Sequence, residues 1–208
     1  MFITFEGLDF CGKSTQVELL RKYFEKQNKK IIIIREPGGV KISEKIRELL
    51  LDKDNSEMTM ETEALLFAAG RAQLVREKII PFLKLNYIVI SDRFHDSSIA
   101  YQGYGRGIDI KFITDLQKFA ISTAVPNITF FIDLPVEEIL KRKAKLNNKE
   151  LDRIEVSKNN FYENVRKGYK KLAQKEERFV IINGLMKIDE IHKNIIMQIE
   201  NLIKEEQK

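Results

Sequence analysis

The chain of 208 residues holds one cysteine, two histidines, four prolines and no tryptophan. A lone thiol, Cys11, excludes an intramolecular disulfide framework. His95 and His192 are too widely separated to form a Cys/His set at zinc-ligand spacing, so structural zinc is excluded too. No apolar run approaches the roughly 18 residues that span a bilayer, and Met1 leads into a strand-like Phe2-Ile3-Thr4-Phe5 rather than into a basic segment and an apolar core. The expectation is a cytoplasmic protein without membrane contact. No repeat, low-complexity tract or Pro/Ser-rich linker interrupts the chain, which reads as a single domain over residues 1–208. Lys and Arg exceed Asp and Glu by 36 to 31, a net charge of +5. That excess is too small and too dispersed for a nucleic-acid binder; it suits phosphates.

What is abundant is alternation. Short β-branched and aromatic runs at Phe2–Phe5, Ile31–Ile34, Tyr87–Ser91, Ile128–Ile132 and Phe179–Ile182 are separated by segments of helical period. Nearly continuous apolar runs of this length are strands covered on both faces, so the pattern predicts an α/β fold: a five-stranded parallel sheet with helices on both sides. Val17, Leu20 and Phe24 share one helical stripe; so do Ile42, Ile46 and Leu49 or Leu50, and Ile188, Ile191, Ile195, Ile199 and Leu202. Residues from Met60 to about Leu85 read as one long helix that Pro81 kinks or ends. Between Lys141 and Arg153, cationic and turn-forming residues mix; a solvated helix end and a mobile flap explain that texture equally well.

The most specific signal is Gly7-Leu8-Asp9-Phe10-Cys11-Gly12-Lys13-Ser14, a full match to GxxxxGK[ST] between a strand and an amphipathic helix. Its glycines let successive N–H groups point inward, and the helix that follows adds its own free N–H groups. Such a loop cradles a nucleotide triphosphate, with Lys13 on the transferred phosphoryl oxygens and the Ser14 hydroxyl on Mg²⁺. Cys11 in the loop is a small filler rather than a nucleophile, since neither histidine stands in a pairing motif with it.

Glu36-Pro37-Gly38-Gly39 follows the second strand and Ser91-Asp92-Arg93 closes the third, which puts both at the sheet edge where ligands of open α/β sheets bind. Asp92 is a candidate for magnesium or its waters. Arg47, Arg71 and Arg93 can clamp a second phosphate, though each taken singly also fits a surface salt bridge, and Phe67 and Arg71, four residues apart, share one helical face that suits a nucleobase, while Phe67 fits the core at least as well. The stretch from Phe94 to Gly107 is rich in hydroxyl, amide and glycine and reads as a polar recognition loop between regular elements, with His95 a bystander.

Phe5-Glu6-Gly7-Leu8-Asp9 with Gly12-Lys13-Ser14-Thr15, Arg35-Glu36-Pro37-Gly38-Gly39, Asp92-Arg93-Phe94 and Ala100-Tyr101-Gln102-Gly103 together resemble the bacterial thymidylate kinases, within the P-loop nucleoside monophosphate kinases. The resemblance runs through essentially the whole chain. It implies a three-layer P-loop NTPase fold with a short lid at about residues 141–155. It also implies ATP-dependent phosphorylation of dTMP to dTDP with Mg²⁺ for dTTP biosynthesis, in a homodimeric cytoplasmic enzyme. Carried onto this sequence, Gly7, Leu8, Asp9, Phe10, Cys11, Gly12, Lys13, Ser14 and Thr15 surround the ATP phosphates, Arg142 lies against adenine, and Asn183 flanks it. Phe67 stacks on thymine, Arg71 hydrogen-bonds it, Ser98 and Gln102 contact or support it, and Tyr101 closes over the deoxyribose. Glu36 and Pro37 belong to the dTMP pocket, Arg47 and Arg93 grip the monophosphate, and Asp9 positions the acceptor. Ser14 and Asp92, with help from Glu36, organise magnesium. Catalysis falls to Asp9, Lys13, Arg93 and Arg153, the last because Leu151-Asp152-Arg153-Ile154-Glu155 resembles a lid that supplies an arginine while the phosphate loop carries Phe10 where some members have one. Phe94 replaces a common tyrosine. A kinase for another deoxynucleoside or nucleoside monophosphate, and more remotely a P-loop ATPase switch, are the competing readings.

Overall fold

The computed structural model describes residues 1–145, 152–154 and 159–206. Five strands, β1 (Phe2–Glu6), β2 (Ile31–Arg35), β3 (Ile88–Asp92), β4 (Ile128–Asp133) and β5 (Phe179–Asn183), form one sheet in the order β2-β3-β1-β4-β5. All neighbours are parallel, with Phe5 opposite both Asp92 and Phe130. Every residue of β1 is buried, and the adjacent Phe2 and Ile3, which point to opposite faces, are both 0% exposed. A strand closed on both faces must be roofed by helices twice, which is the α/β architecture that the sequence predicts.

Those helices are α1 (Lys13–Lys26), α2 (Lys41–Leu51), α3 (Met60–Leu74), α4 (Ile80–Lys84), α5 (His95–Ser98), α6 (Ile110–Ile121), α7 (Val136–Lys143), α8 (Asn159–Lys175) and α9 (Ile188–Glu206). Val17, Leu20 and Phe24 of α1 and Ile191, Ile195 and Ile199 of α9 enter the core as their spacing requires, whereas Ile188 is exposed. In α2 the buried residues are Ser43 and Leu50, while Ile42 and Leu49 are exposed.

Two expectations change. The helix over residues 60–85 is regular only to Leu74; a π-helical turn at Val75–Ile79 follows, with the Ile80 N–H on the Val75 carbonyl, and Pro81, which has no N–H to donate, stands directly after it at the start of α4. The stretch from Phe94 to Gly107 is not a loop. It winds as α5 and then as a π-helix, Ile99–Gly105, because glycine there makes room for packing: a Cβ on Gly105 would lie 2.7 Å from the Phe161 ring. Of the expected lid, residues 141–143 end α7 and residues 152–154 are described; residues 146–151 and 155–158 lie outside the described residues.

Candidate active site

A cleft of about 590 Å³ opens at the C-terminal edge of the sheet. From β1 the chain crosses to the edge strand β2, comes back to β3 beside β1, and then adds β4 and β5 on the other side, so the cleft lies where the strand order reverses. Its floor is the turn from β1 into α1. Gly7 and Gly12 take φ values of 141° and 102° there, and a Cβ on Gly7 would lie 2.7 Å from the Ile132 carbonyl oxygen. No side chain caps α1, and its first turn carries no acidic residue, so the leading N–H groups are left for an anion. Lys13 Nζ donates to the carbonyls of Leu8 at 2.9 Å and Gly7 at 3.3 Å. Leu8 and Cys11 are each 2% exposed and pack beneath the loop. Burial pushes the Cys11 thiol up, the reverse of an activated nucleophile.

Asp92, the last residue of β3, accepts a 2.6 Å hydrogen bond from Ser14 Oγ, so the two expected magnesium contacts meet, both on the cleft wall. Among the described residues no set of three His, Cys, Asp or Glu side chains could hold a metal. One hydroxyl and one carboxylate fit a Mg²⁺ that takes its other ligands from phosphate oxygens and water. Arg93 follows in the left-handed region, at φ 70°, held by its N–H on the Phe5 carbonyl at 2.9 Å and its own carbonyl on Ser91 Oγ at 2.6 Å. That backbone aims the guanidinium back across the loop, onto Asp9 Oδ1 at 2.5 Å, the Gly7 carbonyl at 2.9 Å and the Tyr101 hydroxyl at 3.0 Å. Burial opposes the Asp9 charge, but Arg93 and Lys13 outweigh it and hold the carboxyl below its usual range. The Tyr101 hydroxyl also donates to Asp9, at 3.1 Å.

Pro37, Arg47, Phe67, Ser98, Tyr101 and Gln102 are brought together along the same cleft. Arg47 Nη1 donates to the Pro37 carbonyl at 2.8 Å. Arg71 is placed differently. It is 2% exposed and fully engaged: Nε and Nη2 on Glu36 Oε2 at 2.7 and 2.5 Å, Nη1 on Ser98 Oγ at 2.8 Å and Gln117 Oε1 at 2.5 Å, and Nη2 on the Phe94 carbonyl at 3.1 Å. With these donors engaged, Arg71 fixes Glu36 and Ser98 from beneath and is not itself on the cleft wall. Burial pushes the Glu36 carboxyl up despite Arg71 beside it, and its Oε1 is buried without a protein partner although Glu36 lines the cleft. A ligand that offers a hydrogen-bond donor would satisfy it.

Two other expectations are corrected. Arg153 does not face the phosphate loop: its Nη2 donates to Glu63 Oε2 at 2.7 Å and its Nε to the Leu50 carbonyl at 2.8 Å, because a buried carboxylate and the end of α2 outcompete the open cleft. Asn183 lies at the correct sheet edge, but its Oδ1 accepts from the Leu185 N–H at 3.0 Å and shapes the turn after β5 instead of the cleft wall. Arg142 does reach the loop, donating to the Phe10 carbonyl at 3.1 Å.

The sequence reading assigned no role to Glu6, Ser97 or Tyr169. Glu6 Oε2 accepts from the Ser97 and Tyr169 hydroxyls at 2.6 and 2.8 Å, and Oε1 from the Phe94 N–H at 2.8 Å. Ser97 and Tyr169 in turn accept from Arg93 Nη1 at 3.2 and 3.3 Å, so this cluster backs the arginine. Burial, then the charge of Asp96, pushes Glu6 up to about 7. The one ionisable residue of β1 is the available signal for Glu6; Tyr169, 163 residues away, leaves none.

The thymidylate kinase family model matches residues 5–195. The thymidylate kinase of Kosmotoga olearia is 46% identical over 199 residues, which cover 95% of this chain and 94% of that protein. That of Fervidobacterium nodosum is 47% identical over 196 residues, covering 94% and 96%. The crystal structure of thymidylate kinase from Ehrlichia chaffeensis aligns with a TM-score of 0.77 at 35% identity, over 96% of this chain and 98% of that one.

Proposed function

Because the chain belongs to the thymidylate kinase family, we propose that it transfers the γ-phosphoryl group of ATP to dTMP, yielding dTDP and ADP, within this one cleft. The observation that carries the reading is the shared Asp9–Arg93 pair: it lies between the phosphate loop with Lys13 on one side and the hollow walled by Arg47, Phe67, Ser98, Tyr101 and Gln102 on the other. Two phosphorylated ligands brought to one pair of charges would meet end to end. A dTMP phosphate oxygen attacks the γ-phosphorus as the bond to the β-phosphate oxygen breaks.

Arg47 and Arg93 grip the acceptor phosphate, Asp9 fixes Arg93, and Lys13 leaves the loop carbonyls to neutralise the moving phosphoryl group. Phe67 offers its ring to thymine, with Gln102 and Ser98 at the base edge and Arg71 and Glu36 beneath. Arg142, anchored near Phe10, borders the adenine side. Ser14 and Asp92 would hold magnesium, which when bound screens the charge between the phosphates. We further propose a cytoplasmic homodimer of one domain per chain. No described helix is long and apolar enough to cross a membrane. Exposed Ile42 and Leu49 of α2, Leu65 of α3, and Phe112 and Phe119 of α6 offer an apolar face for a second copy.

The test is coupled ADP release with ATP, Mg²⁺ and each nucleoside monophosphate in turn. Turnover is expected with dTMP above all others; strong turnover with a different acceptor and none with dTMP would overturn the assignment.

A further inference from the structure

Glu63, in the first turn of α3, is 1% exposed and joins three parts of the molecule. Its Oε1 accepts from Gln102 Nε2 at 3.0 Å and Arg106 Nε at 3.1 Å; its Oε2 accepts from Arg106 Nη2 at 3.1 Å and Arg153 Nη2 at 2.7 Å. Burial disfavours the charge, but the hydrogen bond from Arg106, with those of the other donors, outweighs it and holds the carboxyl below its usual range.

Arg153 is seated by more than this ion pair. Its Nε donates to the Leu50 carbonyl at 2.8 Å and its backbone N–H to the Leu51 carbonyl at 3.2 Å. The last carbonyls of a helix lack intrahelical partners and carry the negative end of its dipole, so the end of α2 is a natural berth for a guanidinium. The flanking Asp152 and Ile154 line the main cleft, whereas Arg153 lines a separate hollow with Glu63 and Arg106.

We propose that Arg153 is a positioning residue whose working place is this seat, and that Glu63 ties it to acceptor recognition. Arg153 fastens residues 152–154 against the cleft, so that Asp152 and Ile154 form part of its wall. The same carboxylate orients Gln102, which faces the acceptor, so loosening one partner of Glu63 disturbs the other. The inference rests on the reading of the Gln102 side as the acceptor pocket. It removes Arg153 from the transferring phosphoryl group: its loss should be felt when dTMP binds, whereas an arginine acting on the transition state is missed mainly in kcat.

The test uses the full chain with Arg153→Ala, Arg153→Lys, Glu63→Gln and the Arg153→Ala/Glu63→Gln double variant. Steady-state kinetics give kcat and the KM for dTMP, and calorimetry without ATP gives the dTMP Kd. Arg153→Ala and Glu63→Gln are each expected to raise KM and Kd together by about ten- to a hundredfold, the loss of one charge-assisted hydrogen bond, while kcat falls by less than about tenfold. The double variant should be no worse than the poorer single one, since both break the same contact, and Arg153→Lys should recover part of the affinity. A fall in kcat of about a thousandfold in Arg153→Ala with unchanged dTMP Kd, or fully additive losses in the double variant, would overturn the proposal. If Glu63→Gln fails to fold, the split between Kd and kcat in the two Arg153 variants decides alone. Failure of the acceptor reading looks different: the unmodified protein would then neither bind nor phosphorylate dTMP, and the same split measured with the acceptor it does use would still judge the seat.

Discussion

At Gly7 there is no room for a carbon beyond Cα, because the Ile132 carbonyl oxygen and the Cys11 sulfur would each lie within 2.8 Å of it and φ is 141°. Gly7→Ala is therefore expected to cost on the order of 1–3 kcal/mol from backbone strain alone, read as a lower urea midpoint, and a wild-type midpoint would contradict the geometry. Lys13 differs: its side chain rests on carbonyls that water could serve as well, so Lys13→Ala should leave the melting temperature near wild type while turnover drops by at least about 10²–10³-fold. Near-normal turnover would remove Lys13 from the chemistry. His95 carries a pH signature. Burial lowers its pKa to about 4, so between its unfolded value near 6.5 and about 4 the unfolded chain binds a proton that the folded one refuses. Its contribution to stability is present above about 6.5 and lost as pH falls through that window. Its ring resonances should show no protonation between about pH 7.5 and about pH 5.5 in the folded protein; titration near 6.5 would show an open site. Glu6 acts with the opposite sign: its raised pKa makes its contribution full below about 4.5 and lost as pH rises to about 7.

Elements were legible to the extent that burial wrote itself into the sequence. All five strands stand where their apolar runs are, and each runs past the run to end on a polar residue: Glu6, Arg35, Asp92, Asp133 and Asn183. The ladder continues to the sheet edge, where the strand ends turn polar for different reasons: Arg35 and Asp92 line the cleft, Glu6 is held by Ser97 and Tyr169, Asp133 pairs with Arg166 and Asn183 shapes a turn, so a reading by apolar pattern closes each strand too soon. The π-helix at Ile99–Gly105 was masked for the opposite reason. Gly103 and Gly105 read as loop residues, but they are small because Ile110 and Phe161 press on them. Helix ends follow local chemistry more faithfully. Asp109 Oδ1 accepts the Phe112 N–H at 2.7 Å at the start of α6, so Asp109→Ala is expected to destabilise the fold by about 1 kcal/mol, measured by urea unfolding. No loss would mean that the cap is idle in solution.

For the molecule as a whole, six of the exposed apolar side chains, Ile42, Leu49, Met60, Leu65, Phe112 and Phe119, fall on α2, α3 and α6, where α3 packs against both of the others, with Phe119 at 74% exposure under the Arg76 guanidinium. A homodimer formed there should appear in sedimentation, and Phe119→Asp should raise its dissociation constant by about tenfold or more, as burial of an aromatic anchor implies. A chain that sediments as a monomer at micromolar concentration would refute the dimer. By itself the sequence determined the phosphate loop, the order of strand and helix, and the motifs shared with one kinase family, because each is a local matter of torsion, spacing and period. Only the tertiary structure decided which acceptor each guanidinium meets. Arg71, Arg93 and Arg153 look alike in sequence, yet one supports the pocket from beneath, one bridges the loop to Asp9, and one is berthed on Glu63, 90 residues away. Several acceptors compete for each long cationic side chain, and the choice is made by which helix ends and buried carboxylates folding brings within reach.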